Sequence, residues 1–355
     1  MKSLFIGSIS PYAGKNLTCI GIAKKYQKQG KKVGYIKPIG IYPAMAEGVL
    51  TDEDAIFYKK MLGLSEPLYL LCPVVLTSEI IDKALEGKQN KLEQKISESF
   101  DKVAKGKDLV LINGTDKLYS GSFLGIPEIK LIQKLKTKVL LVDSLSLNEY
   151  ESCDAFLNAH SILRDKLLGV ILNRIPANRK DYIVSKVVPF LKKNNIDTIG
   201  VITEDPILKA ATIKELVQAL EGKVLCCQDK LDGLVENFMI GAMTVESALR
   251  YFRRVPNKAV ITGGDRSDIQ LAALETSTKC LILTGDLYPN QMIISKSEEF
   301  GVPIVVVPTD TLTAVDRFES LLGHMSLRSE SKIARAQEVV EKSLNFGLLS
   351  KKLGL

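Results

Sequence analysis

Tryptophan is absent from this 355-residue chain, aromatic residues make up 6% of it, and only two histidines occur, His160 and His324. The aromatic poverty bears on partners. Basic clusters interleaved with aromatics mark nucleic-acid surfaces, and lysine pairs such as Lys24-Lys25, Lys31-Lys32, Lys59-Lys60 and Lys192-Lys193 lack that interleaving. They read as solvated helix faces, so no nucleic-acid partner is expected. The six cysteines (Cys19, Cys72, Cys153, Cys226, Cys227 and Cys280) have no C-x-x-C spacing. With so few histidines, zinc ligation is not expected and the thiols read as buried, reduced, small hydrophobes. No G-x-S-x-G or H-E-x-x-H motif is present, which removes the common hydrolase layouts. His160 falls inside a helical pattern and His324 follows a glycine near a helix end; both read as surface or capping residues rather than catalytic bases. No apolar run approaches a transmembrane length, and the apolar core of Met-Lys-Ser-Leu-Phe-Ile-Gly is too short for a signal peptide. The expected location is the cytoplasm, with no membrane partner.

What is present is ordinary for a soluble globular protein: 46% apolar residues, 25% charged residues and a formal charge of +7. The length allows two domains, and a positive surface suits anionic ligands.

The stretch from Leu4 to Thr18 organises the first half. A short apolar run gives way to a Gly/Ser/Pro loop, and Gly14-Lys15 opens a segment with helical apolar spacing at Leu17, Ile20, Ile22 and Ala23. Strand, glycine loop, lysine and helix form the layout of a phosphate-binding loop, in which backbone N–H groups and one ammonium face phosphate oxygens. The usual spacing is G-x-x-x-x-G-K-[ST]. Here Ile9 stands at the first glycine position and Asn16 at the Ser/Thr position. Gly7 takes the turning role if the loop is longer than usual, and Ser8, Ser10 and Tyr12 either hydrogen-bond phosphate or only satisfy the turn. A strand-to-helix turn without a ligand is the alternative.

Apolar runs at residues 4–7, 33–39, 109–113, 138–143, 168–173 and 197–202 alternate with helical patterns at 15–29, 91–105, 148–163 and 178–193. Runs without polar alternation are strands buried on both faces, so the spacing predicts a mostly parallel sheet in a three-layer α/β domain. Ligands bind such sheets at the carboxyl ends of the strands. Those ends carry Lys15, then Lys37-Pro38 and the cluster Asp52-Glu53-Asp54, then Asn113-Gly114-Thr115-Asp116, Asp143-Ser144 and Asn173-Arg174. A lysine, a carboxylate cluster, a glycine turn and an asparagine on one edge suit a Mg-nucleotide. The bland readings stay open: Asp52 as a helix N-cap and Asn173 as a turn residue.

A second unit begins near Asp205-Pro206, with a helix over 206–220 and then runs at 223–227, 258–262, 279–284 and 302–307. Helical patterns at 244–253, 266–276, 289–300 and 311–322 separate them. The spacing predicts a smaller α/β domain. Its strand ends carry Gly263, Gly264, Asp265 and Arg266, then Thr284, then Asp310 and Thr311. These loops form either a small anion or nucleotide pocket or capped turns that face a partner subunit.

The segments Gly7 to Lys15, Tyr35-Ile-Lys-Pro38, Asp54, Gly114, Gly169-Val-Ile-Leu-Asn173 and Ile199-Gly-Val-Ile202 resemble the dethiobiotin synthetase-like P-loop fold over about the first 205 residues. The resemblance implies that Gly7, Tyr12, Gly14, Lys15, Asn16, Lys37, Asn113, Gly114 and Asn173 line a site for ATP or a related nucleotide. Within it Lys15 and Lys37 meet phosphate or substrate and Asn173 reads the adenine. Asp54 is the implied Mg²⁺ ligand. Two departures weaken the metal site. Asn16 replaces the hydroxyl residue, and Asn113 replaces the acidic residue expected before Gly114; whether Asp116 compensates stays open. Mg²⁺ prefers anionic or hydroxyl oxygens in octahedral geometry, so Mg²⁺ binding and phosphoryl transfer are expected to be weak.

Ile240-Gly-Ala-Met243, Ile261-Thr-Gly-Gly-Asp-Arg-Ser-Asp-Ile269, Leu283-Thr-Gly285 and Asp310-Thr-Leu-Thr313 resemble the DRTGG domain over residues 207–322. The pairing is similar to the regulatory, non-catalytic N-terminal half of long phosphotransacetylases, and the sequence ends before their acyl-transfer domain would begin. The expected division is 1–205, 206–325, and a C-terminal helix and tail over 326–355. That helix, apolar at Ile333, Ala336, Val339, Val340 and Leu344, is expected to pack on the second domain or on a partner. The expected function is a nucleotide-binding regulatory or sensor protein, a homo-oligomer responding to a nucleotide or small anionic metabolite. The alternatives are an ATP- and Mg²⁺-dependent ligase or carboxylase of the dethiobiotin synthetase type, and a scaffold with a vestigial loop that binds a metabolic enzyme.

Overall fold

In the computed structural model the described residues are 1–88, 91–115, 117–145, 149–324 and 330–355, and the side chains of 149, 209, 319–324 and 331 are left out of the account. Asp116, the candidate compensating ligand, lies outside the described residues. The chain forms two compact units, one of Met1–Glu204 with Leu327–Leu355 and one of Asp205–Ser326.

The first unit is built on six strands: β1 (Lys2–Ser8), β2 (Val33–Ile36), β3 (Leu109–Asn113), β4 (Lys138–Ser144), β5 (Leu167–Ile175) and β6 (Thr198–Thr203). They lie in the order β6-β5-β4-β1-β3-β2, and every pairing is parallel. Their apolar residues are buried on both faces, as at Leu4, Phe5 and Ile6 or Val139 to Val142. This is why the sequence shows unbroken runs rather than alternation. The covering helices include α1 (Lys15–Lys28), α2 (Glu53–Leu62), α3 (Leu92–Ala104), α4 (Glu128–Lys134), α5 (Glu149–Leu163) and α6 (Val188–Lys193). A π-helical stretch, Ile183–Val187, precedes α6, whose first turn contains Pro189. Proline brings no N–H to the helical ladder, and a one-residue widening of the turn is a common accommodation of such a break.

In the second unit β7 (Lys223–Val224), β8 (Asn237–Ile240), β9 (Lys258–Gly263), β10 (Thr278–Thr284) and β11 (Ile304–Val306) form a sheet ordered β7-β11-β10-β9-β8. Only β7 runs antiparallel. Helices α7 (Val245–Phe252), α8 (Ser267–Leu274), α9 (Gln291–Phe300) and α10 (Thr311–His324) alternate with the later strands. The single helix expected over 206–220 is divided. Ala211–Thr212 pairs antiparallel with Leu234–Val235, and the Thr212 side chain forms a capping box with Glu215 that starts a new helix at Ile213. Strand β8 lies outside the expected runs, because Asn237-Phe-Met-Ile240 is short and only half-buried.

The C-terminal helix corrects another expectation. Helices α11 (Glu330–Ser343) and α12 (Phe346–Leu353) belong to the first unit, with α11 against α1. A Cβ at Gly21 of α1 would lie 2.3 Å from Val340 Cβ, so the bare glycine lets the two helices touch. Gly200 of β6 bridges Leu344, Asn345 N–H donates to the Ile199 carbonyl at 2.8 Å, and Tyr26 Oη meets Ser350 Oγ at 2.9 Å.

One buried charge in the second unit makes a stability prediction. Lys258 is fully buried at the start of β9, and its Nζ donates to Thr276 Oγ1 at 2.9 Å and Ser277 O at 3.1 Å, both neutral. Burial pushes its ammonium down to about 8. The unfolded lysine, near 10.4, therefore binds more protons than the folded one between these values, and stability rises as pH climbs through that window. We expect Lys258→Met to be more stable than wild type at pH 7, with the difference, on the order of 3 kcal/mol at most, closing toward pH 10.5. Denaturant unfolding at pH 7, 8.5 and 10 checks this; a difference that does not change with pH contradicts it.

Candidate functional site

The turn from β1 into α1 lies where the parallel strands end. Gly7 does not make the turn: it sits inside β1 opposite Leu141. The left-handed positions are Tyr12 (φ 53°) and Gly14 (φ 104°), and glycine tolerates the latter without Cβ strain. A Cβ at Gly14 would also lie 2.0 Å from Asn173 Nδ2. Asn173, at the end of β5, donates through that nitrogen to the Ala13 carbonyl at 2.8 Å. Its amide donor therefore clamps the loop, which is the structural alternative to reading a base. Asp143, ending β4, accepts from Ser10 Oγ and, at 2.6 Å, from Ser152 Oγ. The loop is thus tied to two neighbouring strands.

Helix α1 has no side-chain cap and no acidic residue in its first turn. Its first N–H groups and the positive end of its dipole face the loop. Lys15 Nζ donates to Ser8 Oγ at 3.0 Å. This end can take an anion.

Beside it stands a buried polar ladder. Asn113 Nδ2 donates to Asn16 Oδ1 at 2.9 Å and to Tyr35 Oη at 3.1 Å. Asn16 Nδ2 donates to Asp54 Oδ1 at 3.1 Å. The other Asp54 oxygen takes Lys37 Nζ at 2.5 Å, and Lys37 also meets Asp52 Oδ1 at 3.0 Å. Asp52 does two jobs: it caps α2 by accepting from Asp54 N–H at 2.9 Å, and it pairs with the lysine. Lys37 and Asp52 are almost wholly inaccessible. Burial alone would push the Lys37 ammonium down; Asp54 and Asp52 outweigh burial and hold it above its ordinary value, so it stays charged. Stacked rings of Tyr35 and Tyr58, 4.0 Å apart, wall the ladder, and Tyr58 Oη donates to the Asn16 carbonyl at 3.0 Å.

The donor set does not fit Mg²⁺. Both Asp54 oxygens are engaged, one by an amide and one by an ammonium, and Asn16 Oδ1 already accepts from Asn113. An octahedral divalent ion needs several free oxygens. Among the described residues of the ladder, Asn113 Oδ1 is the acceptor left buried with no hydrogen-bond partner. A single neutral oxygen is not a divalent site.

Sequence reasoning singled out Lys15, Asn16, Lys37, Asp54, Asn113 and Asn173, and all lie at this edge. It missed Glu128, a buried carboxylate on α4 that accepts from Thr115 Oγ1 at 2.7 Å and from Thr115 N–H and so anchors the loop after Gly114. Nothing marks Glu128 in the sequence, where it falls between the apolar runs at 109–113 and 138–143.

In the second unit Gly263 ends β9 and Gly264, Asp265 and Arg266 follow it, Thr284 ends β10, and Asp310 and Thr311 follow β11, so the three loops share the carboxyl edge of that sheet. A Cβ at Gly264 would lie 2.0 Å from the Leu287 carbonyl oxygen, a contact only glycine allows. Arg266 is engaged with Asp268 and the Met243 carbonyl, Thr284 Oγ1 meets Thr311 Oγ1 at 2.8 Å, and Asp310 accepts from Thr313 N–H at 3.0 Å. These contacts make well-capped turns, with the carboxylates of Asp265, Asp286 and Asp310 in exposed positions.

Comparison with known proteins agrees with the two units. A family model described as an AAA domain matches residues 2–212, and one described as a DRTGG domain matches 215–321. Phosphate acetyltransferase of Synechocystis is 24% identical over 361 residues, covering 97% of this chain and 50% of that protein. The chain spans about half the length of the curated relatives it matches. Among solved structures, MinD of Aquifex aeolicus is 17% identical with a TM-score of 0.36, covering 59% of this chain and 84% of that one. The CBS and DRTGG regulatory region of Clostridium perfringens pyrophosphatase, solved with its activator diadenosine tetraphosphate, is 18% identical with a TM-score of 0.30, covering 46% and 78%. Among the described residues no helix is long and apolar enough to cross a membrane. The chain belongs to the AAA-domain family of P-loop proteins, carries a DRTGG domain after that P-loop domain, and is homologous to the N-terminal part of phosphate acetyltransferases.

Proposed function

We propose that this protein is a nucleotide-binding regulatory protein that holds ATP or a related nucleotide without efficient phosphoryl transfer. The observation that carries the reading is the ladder Asn113–Asn16–Asp54–Lys37. Amide donors and an ammonium neutralise the carboxylate that would hold Mg²⁺, while the uncapped start of α1 and Lys15 keep an anion site beside it. Phosphoryl transfer in P-loop proteins depends on a metal bridging the β- and γ-phosphates, so such a site binds more readily than it turns over. Lys15 would meet the phosphates. Lys37, spent on two aspartates, would instead hold the loop and α2 in place. The DRTGG domain would report the bound state. Kinship with the N-terminal part of phosphate acetyltransferases supports a role beside acyl-transfer metabolism, with a metabolic enzyme as partner. The ligase reading asks for a metal that the ladder does not accommodate. Calorimetric titration of ATP with and without Mg²⁺, using Lys15→Ala as the control, tests the proposal: binding that needs Lys15 and hardly responds to Mg²⁺ supports it.

A further inference from the structure

We propose that the edge of the P-loop unit where its strands begin docks the phosphodiester backbone of duplex DNA, without sequence preference. The charge of the chain is unevenly divided. Residues 1–204 and 327–355 hold 36 Lys and Arg against 25 Asp and Glu, a balance of +11, whereas residues 205–326 hold 12 against 16, a balance of −4. Composition alone reads the lysines as solvated helix faces. The parallel sheet gathers them, because all six strands start on one edge, opposite the nucleotide site.

Each strand is entered through an exposed cation: Lys2 at β1, Lys32 before β2, Lys105 before β3, Lys136 before β4, Arg164 before β5 and Lys193 before β6. With strands about 4.8 Å apart, six of them make a row roughly 24 Å long. That matches about seven base pairs of duplex rise. Among the described residues none of the six has an ion-pair partner, and most nearby acids are already spent: Glu66 on Lys107, Asp165 on Lys138, and Asp197 on Lys192 and Lys352. Asp108, exposed beside the row, accepts from Lys32 N–H at 2.8 Å and is, among the described residues, the one carboxylate set among these cations. A cation in a helix's last turn offsets the dipole, but Lys32, Lys136 and Arg164 lie beyond their helix ends. Lys136 and Arg164 also hold left-handed backbone, φ 50° and 49°, where glycine would be unstrained.

The kind of polyanion follows from what accompanies the charge. Residues 29–32, 105–108, 135–137, 164–166 and 194–197 contain no aromatic, so unpaired bases have no stacking platform. Those loops also expose no large apolar side chain to enter a lipid surface. Lysines dominate the row, giving point charges for phosphate rather than the bidentate forks that read base edges.

The test is fluorescence anisotropy of a labelled 20-base-pair DNA duplex of mixed sequence with the full chain. Engaging about four phosphates predicts a loss on the order of 100-fold in affinity between 50 and 200 mM NaCl. The variant K32E/K136E/K193E should lose binding at 50 mM NaCl, while K83E/K95E/K180E, equal in net charge but away from the row, should bind within about threefold of wild type. Thermal unfolding verifies that each variant folds; if the first does not, K32Q/K136Q/K193Q replaces it and should weaken binding tenfold or more. No duplex binding at 50 mM NaCl, equal loss in both triple variants, or stronger binding to single strands or phosphatidylserine vesicles overturns the proposal.

Discussion

Replacing Lys37 with methionine should lower the unfolding free energy at pH 7 by about 3–5 kcal/mol, the usual cost of removing one partner from a buried ion pair. The methylene stem is kept, so packing changes little. What is lost is an ammonium that pairs with both Asp52 and Asp54, two carboxylates that are themselves buried. Burial already holds the Asp52 carboxyl above its usual range against the pull of Lys37, and removing the lysine raises it further. The folded variant then binds more protons than the unfolded chain at mildly acidic pH, so its stability increases as pH falls. The deficit should therefore shrink between pH 7 and pH 5, and Asp52→Asn with Asp54→Asn in the Lys37→Met background should restore part of it. Urea unfolding at both pH values reads the effect. A loss below 1 kcal/mol would show that water or other groups carry the balance of charge.

The second large effect concerns the metal. Asn16→Ser with Asn113→Asp removes both amides from the ladder, restores a hydroxyl after Lys15 and places a carboxylate at the end of β3. Asp54 Oδ1 then loses its amide partner. Nucleotide binding by this double variant should tighten at least tenfold on adding Mg²⁺, about 1.4 kcal/mol, whereas wild type should barely respond. A double variant that folds, binds nucleotide and ignores Mg²⁺ would falsify the view that these two amides disable the metal site.

The six strands of the first sheet were legible because burial on both faces leaves unbroken apolar runs such as Leu109–Ile112. The loop at Gly14-Lys15 was legible because turn glycine, lysine and helical spacing fall in one short stretch. Asn16 and Asn113 were visible only as departures from a pattern. That they bond to one another, 97 residues apart, depends on β3 lying beside β1, which only the assembled sheet supplies. Lys37 reads as a phosphate contact in the sequence, and its pairing with Asp52 and Asp54 is visible only once the fold brings the three together. The packing of α11 on α1 joins segments some three hundred residues apart, and the apolar stripe of α11 carries no address. The break at Ala210 to Thr212 escaped for a local reason: its capping box sits inside a segment whose apolar spacing continues through it.

The most direct test of the nucleotide-binding account is the ratio of ATP dissociation constants without and with Mg²⁺, measured by calorimetry on the wild-type chain. The account predicts a ratio within about threefold of unity, less than 0.7 kcal/mol, with binding abolished in Lys15→Ala under both conditions. A ratio of ten or more in favour of Mg²⁺ would contradict it, because the ladder of Asn113, Asn16, Asp54 and Lys37 would then have to open and admit the ion.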